Sequence, residues 1–408
     1  MAYISSISTY VPPWGEAGQR VPGGDEDAVT MAVEAGRAAL EAAGTGAVER
    51  VVLVSRDLPL LEGGNSAALL AGLGLPPDTD VVERLGGAPA ALDAILTARP
   101  RTLVTAADLG PAGAGAVVVS SNGFTLRPVG RVTRSLPVQA RSSNGVIHRY
   151  DDPRLLRERG LLASLDRLRE PGNGLEGRPS AIAGAPFAQV RALCDGEPPR
   201  LPVLGASATV FALAALAERK EPAVLAAAEQ ASLTAAALDT SGGEPAHVRR
   251  LEPLARAVPT AQTTPGLDMP VSLAAYDRAF ESKVGWKAAR CESCGTLALP
   301  RRYRCRGCGA EGEWSLVPLP RRAVVYTTTT VHVPVPSLTT PYSLAVVQLD
   351  GTDVRVLART TAVEPGSVSI GDTGRMTLRR VAVRSGVPDY GYAFWPDDVP
   401  AGREEEVR

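Results

Sequence analysis

Four of the five cysteines in this 408-residue chain lie in one short stretch, CESCGTLALPRRYRCRGCG. They form a CxxC–x10–CxxC array, in which each CxxC pair is a tight knuckle that points two thiolates at one centre: Cys291, Cys294, Cys305 and Cys308. Two knuckles supply the tetrahedral four-sulfur set that suits Zn²⁺. A glycine directly follows each knuckle, where the backbone often needs its freedom. The array predicts a structural zinc ribbon without a catalytic role; disulfides or an iron centre are the alternatives.

Residues 1–250 alternate between strand-like and helix-like patterns. The run AYISSISTYV is typical of a strand, and DEDAVTMAVEAGRAALEAAG is typical of a helix with Asp25, Glu26 and Asp27 in its first turn and Gly44 at its end. A strand, a small-residue turn and an apolar helix occur in both halves of this region, which hints at an internal duplication. The alternation predicts a layered α/β domain with a largely buried sheet.

The hydrophobic period changes to two from residue 323, where β-branched strands predict a small all-β barrel with a hairpin turn at Asp350–Gly351. A proline-rich stretch without periodicity precedes an amphipathic helix and the cysteine array. The predicted organisation is a domain over 1–251, a linker over 252–270, a helix plus zinc ribbon over 271–322, a barrel over 323–396 and a flexible tail over 397–408.

Bulk charge excludes some classes of function. The formal net charge is −1, so no overall field favours nucleic acid or a membrane. No apolar run approaches the roughly 20 residues of a membrane span, and the first residues lack a signal-peptide pattern, so we expect a cytoplasmic protein without a membrane partner. The stretch from Lys283 to Arg322 is basic, with nine Lys or Arg against three Glu. It is either a solvated surface or a patch for a polyanion, such as nucleic acid or the phosphates of coenzyme A.

Residues 271–396 resemble the acyl-CoA-associated OB-fold proteins that carry a rubredoxin-like zinc ribbon. The matching features are the leading helix, Pro300 and Arg301 between the knuckles, and the runs VVYTTTTV and TPYSLAVVQLDG, in that order. The resemblance implies an OB-fold barrel, a thiolase-fold enzyme as partner and a role in holding or passing acyl-CoA. Four arginines are then candidate contacts for coenzyme A phosphates on charge and position: Arg301, Arg302, Arg304 and Arg306.

The N-terminal runs ISSISTYVPPW and GGDEDAVTMAVEAGRAAL resemble 3-hydroxy-3-methylglutaryl-CoA synthase and its ketoacyl synthase III relatives. The resemblance implies a thiolase-like domain with a Cys nucleophile at a strand-to-helix turn, a His and an Asn. Carried over by motif, the Cys position falls on Leu85 in RLGGAPAAL, the His position on Gly184 in AGAPF, and the Asn position near Leu204 in LGASAT. These windows hold no Cys, His or Asn, so we predict no catalytic residue.

Other residues could replace the missing nucleophile or base. Cys194 is the one cysteine outside the array, and a lone Cys is more often a small buried hydrophobe than a nucleophile. His148 lies near Ser142, Ser143 and Asp151, but it occupies no catalytic position of the family. His247 and His332 are expected to be structural or exposed.

Together these observations favour a non-catalytic accessory protein, a pseudoenzyme that scaffolds an active thiolase or ketosynthase, or supplies acyl-CoA to it, as a homo- or hetero-oligomer. The alternative is an active acyl-CoA acyltransferase or synthase with a relocated nucleophile. A nucleic-acid-binding zinc-ribbon protein is a third reading. It is disfavoured because the aromatic spacing of a stacking platform is absent, although Tyr303 and Trp314 lie nearby.

Overall fold

The structure is a computed structural model that describes residues 1–45, 47–142, 145–150, 152–240, 246–267, 270–334, 336 and 338–397. The chain divides into two compact units. The first comprises Met1–Pro22, Met31–Ser66 and Leu75–Arg256, and the second comprises Gly23–Thr30, Ala67–Gly74 and the chain from Ala257 onward. The proposed linker over 252–270 therefore has its first five residues in one unit and the remainder in the other.

Strands and helices alternate through the first 132 residues. In chain order these elements are β1 (Ala2–Tyr10), β2 (Gly15–Glu16), β3 (Gln19–Arg20), α1 (Ala28–Ala42), β4 (Arg50–Val54), α2 (Ser66–Leu73), β5 (Asp80–Arg84), α3 (Ala88–Thr97), β6 (Thr102–Leu109), β7 (Ala112–Ser120) and β8 (Phe124–Val132).

The following stretch begins with a short hairpin and a helical segment before the alternation resumes. Its elements are β9 (Gln139–Arg141), β10 (Ile147–Arg149), α4 (Pro153–Leu155), a π-helical turn (Leu156–Leu162), α5 (Ala163–Arg169), β11 (Ala181–Ala183), α6 (Phe187–Val190), α7 (Ala208–Arg219), β12 (Ala223–Glu229), β13 (Ser232–Asp239) and β14 (His247–Leu251).

One mixed sheet organises the first unit. Its strand order is β11-β12-β13-β8-β1-β7-β6-β4-β5, and β14 pairs in parallel with the second half of β1. Ser6 and Ser8 of β1 donate hydrogen bonds to carbonyls of α1, whereas Ile7 joins the apolar cluster formed with α3 and α7. Successive residues of a strand point to opposite faces, so helices cover both faces of the sheet. The prediction of a layered α/β domain is confirmed.

The two halves of the sheet repeat one arrangement. In the first, β5 leads through α3 into the antiparallel pair β6–β7, and in the second, β11 leads through α7 into the antiparallel pair β12–β13. Strand β4 lies between β5 and β6, whereas β11 pairs directly with β12. Among the described residues, the second half therefore lacks a counterpart of β4, and the duplication is incomplete.

From Ala257 onward, the described part of the second unit consists of one helix, α8, and several strands. The elements are β15 (Gln262–Thr263), α8 (Leu273–Lys283), β16 (Lys287–Cys291), β17 (Leu297–Ala298), β18 (Trp314–Pro318), β19 (Arg322–Val331), β20 (Thr339–Thr340), β21 (Tyr342–Leu349), β22 (Arg355–Arg359), β23 (Thr373–Arg384) and β24 (Val387–Pro396).

Two antiparallel sheets organise this unit. The ribbon sheet has the order β17-β16-β18, and the five-stranded sheet has the order β22-β21-β19-β23-β24. A bridge between Thr360 and Phe394 brings the two ends of the larger sheet together, which closes the barrel. Asp397 at its end forms a two-bonded ion pair with Arg322, at 2.8 and 2.7 Å. The remainder of the tail, 398–408, lies outside the described residues.

The acidic segment before α1 belongs to this second unit. The helix begins at Ala28, so the three acids precede it, and the carboxylate of Asp27 accepts a hydrogen bond from the Thr30 N–H at 2.9 Å. The other oxygen of Asp27 accepts a bond of 2.8 Å from the hydroxyl of Tyr390 on β24. Asp27 therefore acts as a helix cap that is itself held by the barrel.

Candidate functional site

The four clustered cysteines meet at one end of the ribbon sheet. Their Sγ atoms all lie within 4.8 Å of one another. Cys291 and Cys308 approach to 3.9 Å, and Cys294 and Cys305 to 3.5 Å. Both knuckles have the same backbone, because Gly295 N–H donates to Cys291 O at 2.8 Å and Gly309 N–H donates to Cys305 O at 2.9 Å. Both glycines have φ near +75°, which explains their positions in the array.

This donor set fits a tetrahedral metal ion. A Zn–S bond of about 2.3 Å places the corners of the tetrahedron about 3.8 Å apart, close to the two distances between the sulfurs. Backbone N–H groups of Cys308 and then Gly307 lower the pKa of the Cys305 thiol to about 6, which favours its thiolate. Although the Ala310 N–H opposes the shift, the neighbouring cysteines raise the pKa of the Cys308 thiol to about 11, so a bound metal would have to displace that proton. The cluster can therefore bind a metal ion through four sulfurs, which leaves no open coordination position.

The arginines between the knuckles differ in their surroundings. Arg304 and the hydroxyl of Tyr303 both bond to the carboxylate of Glu311, the latter at 2.9 Å. Arg302 lies between two surface clefts: it lines one with Arg301 and Tyr303, and the other with Arg306 and residues of β21 and β22. Arg304 is therefore paired with an acid, whereas the other three arginines line the solvent-exposed clefts.

The three sequence windows around Leu85, Gly184 and Leu204, which contain no Cys, His or Asn at the family's catalytic positions, lie together in the first unit. Helices α3 and α7 begin side by side, and the hydroxyl of Thr209 donates to the carbonyl of Ala88 at 2.8 Å. A side chain at Gly184 would place its Cβ 3.1 Å from the Cβ of Ala88. We call residues 85–88, 184 and 204–209 the cradle. Leu85 at its edge is 59% exposed, and Leu204 is 38% exposed.

A carboxylate of the chain occupies the start of α3. Glu229, the last residue of β12, accepts a hydrogen bond of 3.2 Å from the N–H of Gly87, the residue before the helix. The same carboxylate forms an ion pair of 2.7 Å with Arg56. The start of a helix is the positive end of its dipole and attracts anions. At the start of α3, the carboxylate of Glu229 occupies the position where an anion would bind.

A second carboxylate occupies the start of α7. Asp108, at the end of β6, accepts hydrogen bonds from the N–H groups of Ala206 at 2.7 Å and Ser207 at 2.8 Å, and from the Ser207 hydroxyl. Burial raises the pKa of Asp108 to about 6, although the bonds from Ser207 and Ala206 oppose the shift. Ser207 and Thr209 are fully buried and bonded, so neither hydroxyl is accessible to a substrate. Two acids from outside the cradle therefore bond to its backbone, and the hydroxyls of Ser207 and Thr209 are inaccessible.

Comparison with known proteins places the C-terminal part of the chain. The family described as the C-terminal OB-fold domain of ChsH2 matches residues 316–379. A "DUF35 domain-containing scaffold protein" from Methanocaldococcus jannaschii is 32% identical over 111 residues, which are 26% of this chain and 78% of that protein. The benzoylsuccinyl-CoA thiolase subunit BbsA from Thauera aromatica is 33% identical over 109 residues, 26% of this chain and 74% of the subunit.

The chain belongs to the DUF35 family. The solved structure of PksG, an HMG-CoA synthase from Bacillus subtilis, is similar to this DUF35 protein. The match covers 59% of this chain and 81% of PksG, with 16% identity and a TM-score of 0.44. The resemblance stated for the C-terminal part is confirmed, because that part is of the DUF35 OB-fold type. HMG-CoA synthases are among the structural neighbours of the chain. Among the described helices, none has the length and hydrophobicity that crossing a bilayer requires.

The other candidate residues of this DUF35 protein are one cysteine and three histidines. Cys194 is 4% exposed, and burial raises the pKa of its thiol to about 11, so the thiolate is disfavoured. His148 is exposed on the β9–β10 hairpin, and its neighbours Ser143 and Asp151 lie outside the described residues. His247 and His332 are also exposed.

Sequence reasoning missed Glu229 and Asp108. Each contact joins residues about a hundred or more positions apart, 142 for Glu229 with Gly87 and 98 for Asp108 with Ala206. The available signal was a single acid in an otherwise apolar run, AAAEQA for Glu229 and TAADLG for Asp108. A lone acid at the end of a buried strand is expected to have a partner, because burying an unpaired charge is costly.

Proposed function

We propose that this DUF35 protein is a non-catalytic accessory subunit. It joins a thiolase-like α/β unit without an acyl-transfer site to an OB-fold and zinc-ribbon unit. It scaffolds an active thiolase-fold enzyme, or supplies acyl-CoA to it, in the cytoplasm. The supporting observation is the cradle, where carboxylates of the chain take the positions at which a substrate anion would bind.

Gly184 gives the strongest argument against a concealed catalytic residue. Its φ is +91°, and a Cβ there would lie 1.9 Å from the carbonyl oxygen of Ala228. No side chain, and so no histidine, fits at this position without movement of the backbone. The window that aligns with the family's histidine is thus closed to any side chain by its geometry.

The names of the two relatives favour an accessory role, since one is described as a scaffold protein and the other as a thiolase subunit. A further feature is compatible with a protein partner. Strand β5 ends the large sheet, and no strand among the described residues pairs with its outer side. Val82 on this strand is 40% exposed. An edge strand with an exposed apolar side chain is suited to pairing with another chain, either an enzyme subunit or a second copy.

The metal in this proposal is structural Zn²⁺. Cys291, Cys294, Cys305 and Cys308 would hold it, and a closed four-sulfur site supplies folding energy to the ribbon rather than chemistry.

Intact-mass measurement tests the absence of catalysis. The full chain is incubated with acetyl-CoA beside an active HMG-CoA synthase, which should become acetylated. We expect no stable acyl adduct on the DUF35 protein. An adduct on any residue would contradict the proposal and favour the alternative, an acyltransferase with a relocated nucleophile.

Light scattering tests the scaffold. The chain is mixed with a thiolase-fold enzyme encoded beside its gene, and we expect a stable complex. Val82→Asp should weaken association through the β5 edge, whereas Leu61→Asp, which alters an exposed apolar residue off that strand, serves as the control. Failure to associate with either the enzyme or a second copy would count against the scaffold.

A further inference from the structure

A cavity of about 320 Å³ lies between helix α8 and the β23–β24 hairpin, within the second unit. The helix contains no buried residue, so its apolar face lines this cavity instead of packing into a core. The hairpin contributes Arg384, Pro388 and Asp389. The volume is at the lower end of the range found for small-molecule sites, which favours a compact ligand.

The apolar part of the cavity has the dimensions of an aromatic ring. Ala275 and Ala279, one turn apart on α8, contribute only methyl groups to the lining and leave space above the helix. Tyr276 and Phe280 border the same space, with ring centroids 5.8 Å apart and planes tilted by 54°. Aromatic rings pack favourably in tilted or offset arrangements, so a third ring can join this pair.

The polar end of the cavity has more cations than acids. Asp389 accepts hydrogen bonds from Lys283 Nζ at 2.5 Å and from Arg384 Nε at 3.3 Å, one on each of its oxygens. Within the described residues, the other nitrogens of Arg384 have no partner. Two N–H-bearing nitrogens of an already oriented guanidinium are therefore available, and their planar geometry suits a carboxylate.

Tyr276 adds a second free donor. Its ring is half-buried, and its hydroxyl forms no hydrogen bond with any residue that the structure describes. Burial, and then the negative charge of Asp389, raise the pKa of this hydroxyl, so it keeps its proton and can donate. Both oxygens of Asp389 are already bonded, so the complementary ligand must supply the acceptor and the negative charge.

We propose that this cavity binds a small aromatic carboxylate, with its ring against Tyr276 and Phe280 and its carboxylate bonded to Arg384. Lys283 contributes the second positive charge and holds Asp389 in place. The site lies apart from the cradle of the first unit and uses none of the arginines between the cysteine knuckles. The assignment is therefore independent of the accessory role.

Calorimetric titration of the zinc-loaded full chain with phenylacetate tests the polar end. Phenylacetamide has the same shape without the charge, and we expect it to bind at least tenfold more weakly. Arg384→Gln should weaken phenylacetate binding about tenfold. The control Arg99→Gln removes an exposed arginine of the first unit and should bind like the wild type. An excess of coenzyme A should leave the affinity for phenylacetate unchanged.

A second pair of variants tests the shape of the cavity without changing its charge. Ala279→Leu should fill the space beside the two rings and reduce phenylacetate binding more than tenfold. Ala274→Leu, an exposed position of the same helix outside the cavity lining, should bind like the wild type. Circular dichroism and zinc content should be the same for both variants and the wild type, which shows that each variant is folded.

Any of five results would overturn the assignment: no binding of phenylacetate to the wild type, equal binding of the amide, equal binding by Arg384→Gln or by folded Ala279→Leu, tighter binding of the linear carboxylate decanoate, or displacement of phenylacetate by coenzyme A. None of these results alters the acyl-adduct or light-scattering outcomes, so failure here is distinguishable from failure of the accessory role.

Discussion

The carboxylate of Glu229 accepts a hydrogen bond from the backbone N–H of Gly87, 3.2 Å away, at the start of helix α3. Asp108 has the corresponding relationship with Ser207 at the start of α7. Each acid lies at the end of the first strand of a β-hairpin, β12–β13 or β6–β7, so the duplicated halves cap each other's helix. Paired caps of this kind stabilise the starts of both helices, because each acid accepts hydrogen bonds at the positive end of a helix dipole.

Removing the Glu229 carboxylate should therefore cost stability without creating activity. Glu229→Ala leaves the Gly87 N–H without its acceptor and Arg56 without its ion pair, and we expect unfolding to become easier by about 1 kcal/mol. Urea denaturation followed by circular dichroism measures the change. Glu62→Ala, which removes an exposed acid, should leave the midpoint unchanged. Equal midpoints for the two variants would show that the Glu229 cap contributes nothing.

Gly184→Ala should be among the most damaging glycine substitutions. The new Cβ meets the Ala228 carbonyl oxygen in a left-handed backbone, so we expect a loss of about 3 kcal/mol or more. Gly196 also has a positive φ, +71°, but open space around it, so Gly196→Ala should cost only about 1 kcal/mol. Thermal denaturation of the two variants separates steric overlap from backbone preference. A smaller loss at 184 than at 196 would refute the closed-backbone argument.

Asp108 should make stability depend on pH in an unusual direction. Its folded-state pKa, about 6, lies above the ordinary 3.8, so the folded protein holds this proton more tightly. The resulting stability is fully present below the ordinary pKa and is lost as pH rises through 6. Relative to Asp108→Asn, which cannot titrate, the wild type should lose up to about 3 kcal/mol between pH 4 and pH 7.

Unfolding in urea at several pH values measures this difference. Asp195→Asn, at an exposed position, is the matched control and should show the same pH dependence as the wild type. If the difference in unfolding free energy between the wild type and Asp108→Asn stays constant from pH 4 to pH 7, the pKa of this carboxyl is not raised in the folded state.

Periodicity and spacing predicted those parts of the fold that depend on local sequence. The cysteine array specified the four-sulfur cluster because both knuckles are local structures with a glycine at a fixed position. The change of period near residue 323 predicted a barrel, and the alternation before it predicted a layered sheet; both fold classes are confirmed. The helix over 273–283 and the turn at Gly351 also follow from local pattern.

Features that depend on distant contacts or unusual turns were missed. The apolar run PAVLAAAEQASL has the pattern of one continuous strand, but it contains β12, a turn and the start of β13. Its turn has Gln230 at a φ of +52° and contains no Gly, Asn or Pro to signal it. The acids before α1 were placed in the helix, because sequence alone does not show that Asp27 is held by Tyr390, 363 positions away. The contacts of Glu229 and Asp108 with the cradle were missed for the same reason, because each joins residues far apart in the sequence.

Cys305→Ser should remove the metal and unfold the ribbon alone. A serine hydroxyl is a poor replacement for a thiolate, and the binding energy of a structural metal is folding energy. We expect zinc content by mass spectrometry to fall below stoichiometric. Hydrogen exchange should accelerate over β16 to β18, since Cys291 lies in β16 and pairs with Trp314 of β18. The strands of the large sheet belong to the other unit and should keep their protection. Cys194→Ala removes a buried cysteine outside the cluster and should retain full zinc. A Cys305→Ser protein with stoichiometric zinc and a protected ribbon would disprove the four-sulfur assignment.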